Sequence, residues 1–234
     1  MSGMNERTAI IVGEDGLERL RNARAVLCGC GAVGGYALEG LVRAGVGHIR
    51  VIDKDVFSES NINRQILATT DTVGRVKVEV ACERARSINP DIDIEGLDIL
   101  VSDETIPSIL EGDFDVLVDA IDTVGMKTKL LEKACEIGIP TFSSMGAALH
   151  TDAAAVRIAN IRDTSVCPIA AKVRRALRDL DSSKITCVYS LETPVTVPTE
   201  RDECGKSILG SLPTIPAIFG MSLANEAIAY ILKR

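Results

Sequence analysis

Apolar residues fall in short runs through the first half of the chain, separated by segments whose apolar positions recur every three or four residues. Ala25 to Cys28 form the first run, and Ile49, Val51 and Ile52 the second. Asp91 to Asp98 alternate apolar and polar as a third strand, and Phe114 to Asp119 give a fourth, whose Val116, Leu117 and Val118 read as a strand covered on both faces. A fifth begins at Pro140. Between them, Val76, Val80, Arg84 and Ile88 predict a helix capped by Asp71 or Thr72 and running to Ser87, with Arg75 and Lys77 in its first turn. Ile106 to Leu110 form a short helix, and Val124 to Ile137 a longer one with Leu130, Leu131, Ala134 and Ile137 on one side and Gly138 as its stop.

The pattern is less regular beyond Gly146. Ala153 to Ile161 read as a strand, Ile169 to Leu180 as a basic helix, and Ile185 to Leu191 and Thr193 to Val197 as strands that need not be parallel. Residues 198–210 read as a loop, and Ile215 to Lys233 as an apolar helix buried in its own subunit or in a dimer interface. Residues 1–23 are a charged, solvated arm, with Leu17 and Leu20 on one face of a short helix, and residues 57–70 are a polar loop.

Between the first two strands, Gly29, Gly31 and Gly34 keep G-x-G-x-x-G spacing. Glycine lets the backbone turn and approach a pyrophosphate, while the amides opening the next helix offer donors and the positive end of a dipole. Asp53 ends the second strand, placed for ribose hydroxyls. The expected fold is therefore α/β, a Rossmann-like, mostly parallel sheet flanked by helices and extended by further, partly antiparallel strands in the C-terminal half. Residues 1–234 read as one domain, with a nucleotide-binding half over 1–146 and a substrate and dimer half over 147–234.

Composition narrows the partners. Aromatics make up 3% of the chain, so the core is aliphatic, and a net charge of −7 argues against a uniformly basic nucleic-acid binder. An RNA partner would need a local basic patch. Seven cysteines without a C-x-x-C pair fit a reducing cytoplasm better than a disulfide framework or a zinc ribbon. No signal peptide and no apolar stretch long enough to span a bilayer is read, so the expectation is a soluble, cytoplasmic protein without a membrane partner.

Asp53, Asp55, Asn61, Asn63, Arg64, Gln65, Lys77 and Asp122 all follow strand ends. A nicotinamide-dependent oxidoreductase or a ligand sensor would use the glycines and Asp53, yet has no need of the Asn-Arg-Gln cluster and a placed lysine. ATP chemistry needs both, because cations neutralise phosphate charge in the transition state and a carboxylate holds Mg²⁺.

GCGAVGG, DKDVFSESNINRQ, Lys77 and DAID together resemble the adenylation domain shared by ubiquitin-activating enzymes and the bacterial adenylyltransferases of thiamine and molybdopterin synthesis. The resemblance spans most of residues 7–146. It implies ATP and Mg²⁺, with a monovalent cation as an additional candidate, and a substrate carboxylate that attacks the α-phosphate to give an acyl-adenylate. It also implies that Asp53 holds the ribose, Asn61, Arg64 and Lys77 the phosphates, and Asp122 the Mg²⁺, with Asp55 and Gln65 beside the nucleotide. Arg7, before TAIIVG, matches the arginine that reaches into a partner subunit's ATP site, which implies a homodimer.

CPIAAKVRRALRD and KITCVYSLE resemble the branch that cyclises threonylcarbamoyladenosine in tRNA. Sulfur-carrier adenylyltransferases, the alternative, usually carry two C-x-x-C pairs for zinc, absent here, so no zinc is expected. A sulfur-transfer partner protein stays open. On this resemblance, Lys172, Arg174, Arg175 and Arg178 are candidates for tRNA contact, joined by Lys127, which lies five residues after Asp122 and matches the branch as a residue near the active site, the plain alternative being an exposed helix lysine. Cys187 and Cys204 are weighed as covalent residues against the stronger reading of small buried hydrophobes. His48 and His150 are the only histidines, and neither has a partner legible in the sequence.

Overall fold

The computed structural model describes residues 3–197, 199–201 and 208–233. Its strands are β1 (Arg24–Cys28), β2 (His48–Asp53), β3 (Asp93–Asp98), β4 (Val116–Asp119), β5 (Thr141–Ser144), β6 (Val156–Asn160) and β7 (Ile185–Ser190). They form one seven-stranded sheet in the order β3-β2-β1-β4-β5-β7-β6. Every neighbouring pair is parallel except β6 and β7. The helices are α1 (Glu6–Asn22), α2 (Gly34–Ala44), α3 (Lys77–Ile88), α4 (Ile106–Ile109), α5 (Val124–Ile137), α6 (Pro168–Ala176) and α7 (Thr214–Lys233).

The central strands bury both faces, which explains their unbroken apolar runs. Ala25, Leu27, Val116 and Val118 belong to the core shared with α2, α3 and α7, whereas Val26, Cys28 and Leu117 face the core shared with α4 and α5. A third cluster joins Leu131 of α5 to Ala170 and Val173 of α6 and to Ile185, Cys187 and Tyr189 of β7. Chain order reverses between β1 and β4, so their carboxyl ends diverge into loops on opposite sides and leave a crevice there.

α7 is long and apolar enough to cross a membrane, at 20 residues with a mean hydropathy of 1.5, contrary to the expectation from sequence. Ile215, Phe219, Leu223, Ala227 and Ile231 are nevertheless buried in the sheet core. Its approach to α2 depends on glycine. A Cβ on Gly40 would lie 2.6 Å from the Ala224 Cβ, and one on Gly220 would lie 2.3 Å from the Val33 carbonyl.

Three expectations change. α3 begins at Lys77 rather than near residue 71, because Gly74 takes a left-handed φ of +84° and the chain folds back on Phe57. The Phe57 amide donates to the Arg75 carbonyl at 2.9 Å, and the Gly74 amide to the Phe57 carbonyl at 2.8 Å. Arg75 therefore lies outside the helix, paired with Glu83 at 2.5 Å. The N-terminal arm is largely helical with a break at Gly13, and its second half packs through buried Leu17 and Leu20. Residues 193–197 form no strand, and their Pro194 has no amide to give to a ladder.

Candidate active site

The glycine loop sits where backbone passes backbone. Gly29 has φ +96°, and a Cβ there would lie 2.8 Å from the Ala120 carbonyl oxygen. One on Gly34 would lie 1.8 Å from the Gly29 carbonyl oxygen. Any side chain at either position pushes apart β1 and β4 or the turn into α2. A Cβ on Gly31 would instead meet only the Gln65 carboxamide, at 3.9 Å. The loop is thus walled by the 120–122 turn on one side and by the segment that carries Gln65 on the other.

That second wall holds most of the expected polar cluster. Residues Glu59–Asn61 form one 3-10 turn, with Asn61 Oδ1 accepting the Ser58 amide at 3.2 Å. Arg64 Nη1 donates to the Ser60 carbonyl and to Asn63 Oδ1, both at 2.8 Å, and Asn63 in turn donates to the Ser211 carbonyl at 3.0 Å. Gln65 is buried, and its Oε1 has no hydrogen-bond partner. An orphaned acceptor beside a loop of amides is the kind of group that a bound nucleotide satisfies.

Asp53 ends β2 with both carboxylate oxygens engaged. Oδ2 accepts the Cys30 amide at 2.7 Å and Oδ1 the Asp55 amide at 3.0 Å. These bonds fix the carboxylate against the glycine loop and leave further lone pairs for hydroxyl donors. Lys77, the first residue of α3, is buried with its ammonium 3.2 Å from Asp55 Oδ2 and 5.8 Å from the centre of the Phe57 ring. Asp122 lies exposed on the turn after β4, with Oδ1 accepting the Thr123 hydroxyl at 3.2 Å. One exposed carboxylate is the donor set by which Mg²⁺ is commonly shared between a protein and phosphates.

Beneath that turn lies a network that the sequence reading missed. Lys127 is 1% exposed and Asp119 fully buried, so Lys127 is neither an exposed helix lysine nor placed to touch RNA. Its Nζ donates to Asp119 Oδ2 at 2.5 Å, and the Ser143 hydroxyl donates to the same oxygen at 2.6 Å. Asp119 Oδ1 accepts the Ile121 amide at 3.1 Å. One carboxylate thereby ties β5 and α5 to the turn that presents Asp122. The signal was present in the sequence, because Lys127 shares the helical stripe of Leu131 and Ala134.

Other candidates fall elsewhere. Arg7 is exposed on α1, whose first turn sits by Gly45 at the end of α2, away from its own glycine loop. Arg174, Arg175 and Lys172 lie on α6, with Arg178 just past its end. Burial pushes the Cys28, Cys30 and Cys187 thiols up, which suits packing rather than nucleophilic attack. Cys204 lies outside the described residues. His48 pairs with Asp93 at 2.9 Å where β2 and β3 begin. His150 is buried near Glu192, and burial lowers its pKa.

A model described as the ThiF family matches residues 5–234. The tRNA threonylcarbamoyladenosine dehydratase of Bacillus subtilis (strain 168) is 34% identical over 97% of this chain and 94% of its own. A crystal structure of the Escherichia coli tRNA N6-threonylcarbamoyladenosine dehydratase in complex with ATP has a TM-score of 0.87 at 30% identity, covering 97% of this chain and 93% of that one. The sulfur carrier protein ThiS adenylyltransferase of B. subtilis is 38% identical, but over only 60% of this chain and 43% of its own.

Removing the Lys127 ammonium would leave Asp119 charged and unpaired in the core. We expect Lys127→Met to destabilise the protein by about 3–5 kcal/mol in denaturant unfolding, and Asp119→Asn with Lys127→Met to regain most of that loss. A single variant within about 1 kcal/mol of the native protein would show the pair to be dispensable.

Proposed function

This chain belongs to the ThiF family, and from that premise we propose that it is an ATP-dependent tRNA threonylcarbamoyladenosine dehydratase. The observation that carries the reading is the crevice itself, where the glycine loop, Asp53, the Asn61 to Gln65 segment, Lys77 and the Asp122 turn meet at one sheet edge. The likeness to dehydratases over nearly the whole chain supports it further, because the sulfur-carrier adenylyltransferase matches only in part.

In this reading the threonine carboxylate attacks the α-phosphorus of ATP and pyrophosphate leaves. A carbamoyl nitrogen of the same nucleoside then attacks the activated carbonyl carbon, AMP departs, and a ring closes with net loss of one water. No enzyme nucleophile is required, since the attacking group is already tethered to its target. Asp53 takes ribose hydroxyls, and Gln65 gives its free acceptor to the nucleotide. Asn61, Arg64 and Lys77 face the phosphates, with Lys77 exchanging part of its attachment to Asp55 for phosphate charge. Mg²⁺ held by Asp122 would supply charge neutralisation on the phosphates.

The reading extends to a homodimer in the cytoplasm, in which Arg7 serves the partner's site. Two features of α1 support this. Arg7 is remote from its own crevice, and Ile10 and Ile11 on the same helix are 80% and 86% exposed, an apolar face that a second copy would cover.

The direct test supplies ATP, Mg²⁺ and tRNA bearing threonylcarbamoyladenosine, then weighs the nucleoside after mild digestion. We expect an ATP-dependent loss of one water, and its absence would sink the assignment. Arg64→Ala, Lys77→Ala and Asp122→Ala should each lower turnover by about a hundredfold or more while the fold is kept. A near-normal rate in any of them removes that residue's role. Mixing Arg7→Ala with Asp122→Ala subunits should restore activity to one site per mixed dimer. Mixtures as inactive as their components would refute the arginine's action across the interface.

A further inference from the structure

α6 and the 3-10 turn Ile161–Asp163 enclose a pocket of about 210 Å³, lined by Ile161, Arg162, Arg174, Leu177, Arg178 and Ser182. Three of the six lining residues are arginines and none is a carboxylate. The pocket selects from the basic helix, taking Arg174 and Arg178 but neither Lys172 nor Arg175. It also recruits Arg162, which lies outside the basic helix in the turn after β6.

The arginines are partly anchored, with donors to spare. Arg162 donates from Nε to the buried Ser182 hydroxyl at 3.0 Å and from Nη2 to the Leu180 carbonyl at 2.7 Å. Arg174 Nη1 donates to the Thr164 carbonyl at 2.7 Å and to its hydroxyl at 2.5 Å. Arg178 Nε donates to Asp179 at 2.9 Å. Among these bonds the Nη1 of Arg162, the Nη2 of Arg174 and both Nη atoms of Arg178 make none. Asp181, the next acid along, accepts the Ser183 amide at 3.0 Å and lies outside the lining. Three guanidinium groups converge on this one cavity, and a planar fork of donors matches phosphate oxygens better than a lysine does.

Charge along the chain favours a polyanion over a lone small ion. Residues 161–184 hold six Lys and Arg against three Asp and Glu, in a protein whose net charge is −7. A Cβ on Gly146, just past β5, would lie 3.3 Å from Ile169, so the start of α6 lies by the carboxyl edge of the sheet, where the crevice opens. Its nine residues then lead away from that edge over roughly 13 Å at 1.5 Å per residue. A ligand reaching both the crevice and the pocket must be long.

We propose that this pocket binds a backbone phosphate of the tRNA substrate, with Arg162, Arg174 and Arg178 as its donors. It serves as a second point of attachment that orients the RNA while the modified base enters the crevice. The proposal rests on the tRNA reading above. Contacts of this kind set register without reading sequence, and each phosphate neutralised contributes to the salt dependence of binding.

The test measures binding of labelled tRNA to the full-length protein at several salt concentrations, separately from turnover. Arg178→Ala and Arg162→Ala should each weaken binding about tenfold at fixed salt, and the two together should flatten the dependence of log K on log salt by up to about 1. Among the described residues Arg178 bonds only to its neighbour Asp179, so its variant keeps the fold even where loss of Arg162 loosens the Leu180–Ser182 loop. Arg157→Ala, which removes an exposed charge on β6 outside the pocket, should leave binding within about twofold. Native binding and slope in Arg178→Ala, an equal loss in Arg157→Ala, or failure of the native protein to bind tRNA would each overturn the pocket's role. A native protein that binds tRNA through the pocket but removes no water would contradict the dehydratase reading alone.

Discussion

Everything at the carboxyl edge of the sheet depends on how closely β1 and β4 bring their exits together. Gly29 turns against the Ala120 carbonyl and Gly34 against the Gly29 carbonyl, with no room for a single methyl group at either place. Because the backbones touch, the loop is held tight against the strand ends, and the turn after β4 carries Asp122 to the rim. α7 braces the arrangement from behind, where Gly220 lies under the Val33 carbonyl at the entrance to α2. An aliphatic core on both faces of the central strands keeps that edge rigid.

Electrostatics then divides into a fixed layer and an adaptable one. Below, the Asp119 carboxylate is fully neutralised by Lys127, Ser143 and the Ile121 amide, so it holds structure and has little left to offer a ligand. Above, Lys77 and Asp55 form a pair in which only the lysine is buried, and Gln65 keeps an acceptor unsatisfied. A buried pair that is complete favours one geometry. A half-exposed pair beside an orphaned acceptor can rearrange around a nucleotide at modest cost.

How much of this was legible from sequence follows the range of the interactions. The first five strands and the glycine loop were written locally, in unbroken apolar runs and in glycine spacing, and the strand expectations match the sheet closely. The start of α3 was misplaced because Asp71 and Thr72 read as helix caps, while the turn at Gly74 that delays the helix depends on Phe57, distant in sequence. Lys127 was legible as a residue near the site, but not as a buried one, since its partner Asp119 lies on a different element. Arg162 carried no signal at all, as its place beside Arg174 arises only when β6 turns back towards α6. The polar cluster from Asp53 to Gln65 was recognisable as a group, but the orphaned Gln65 oxygen appears only in the packed structure.

The central claim is that a carboxylate of the substrate attacks the α-phosphorus of ATP. It can be followed atom by atom with tRNA whose threonylcarbamoyl carboxylate carries ¹⁸O. The AMP released on ring closure should contain one ¹⁸O for each turnover, because the oxygen that joined the phosphorus leaves with it. AMP free of label, or release of ADP with label in inorganic phosphate, would contradict the account.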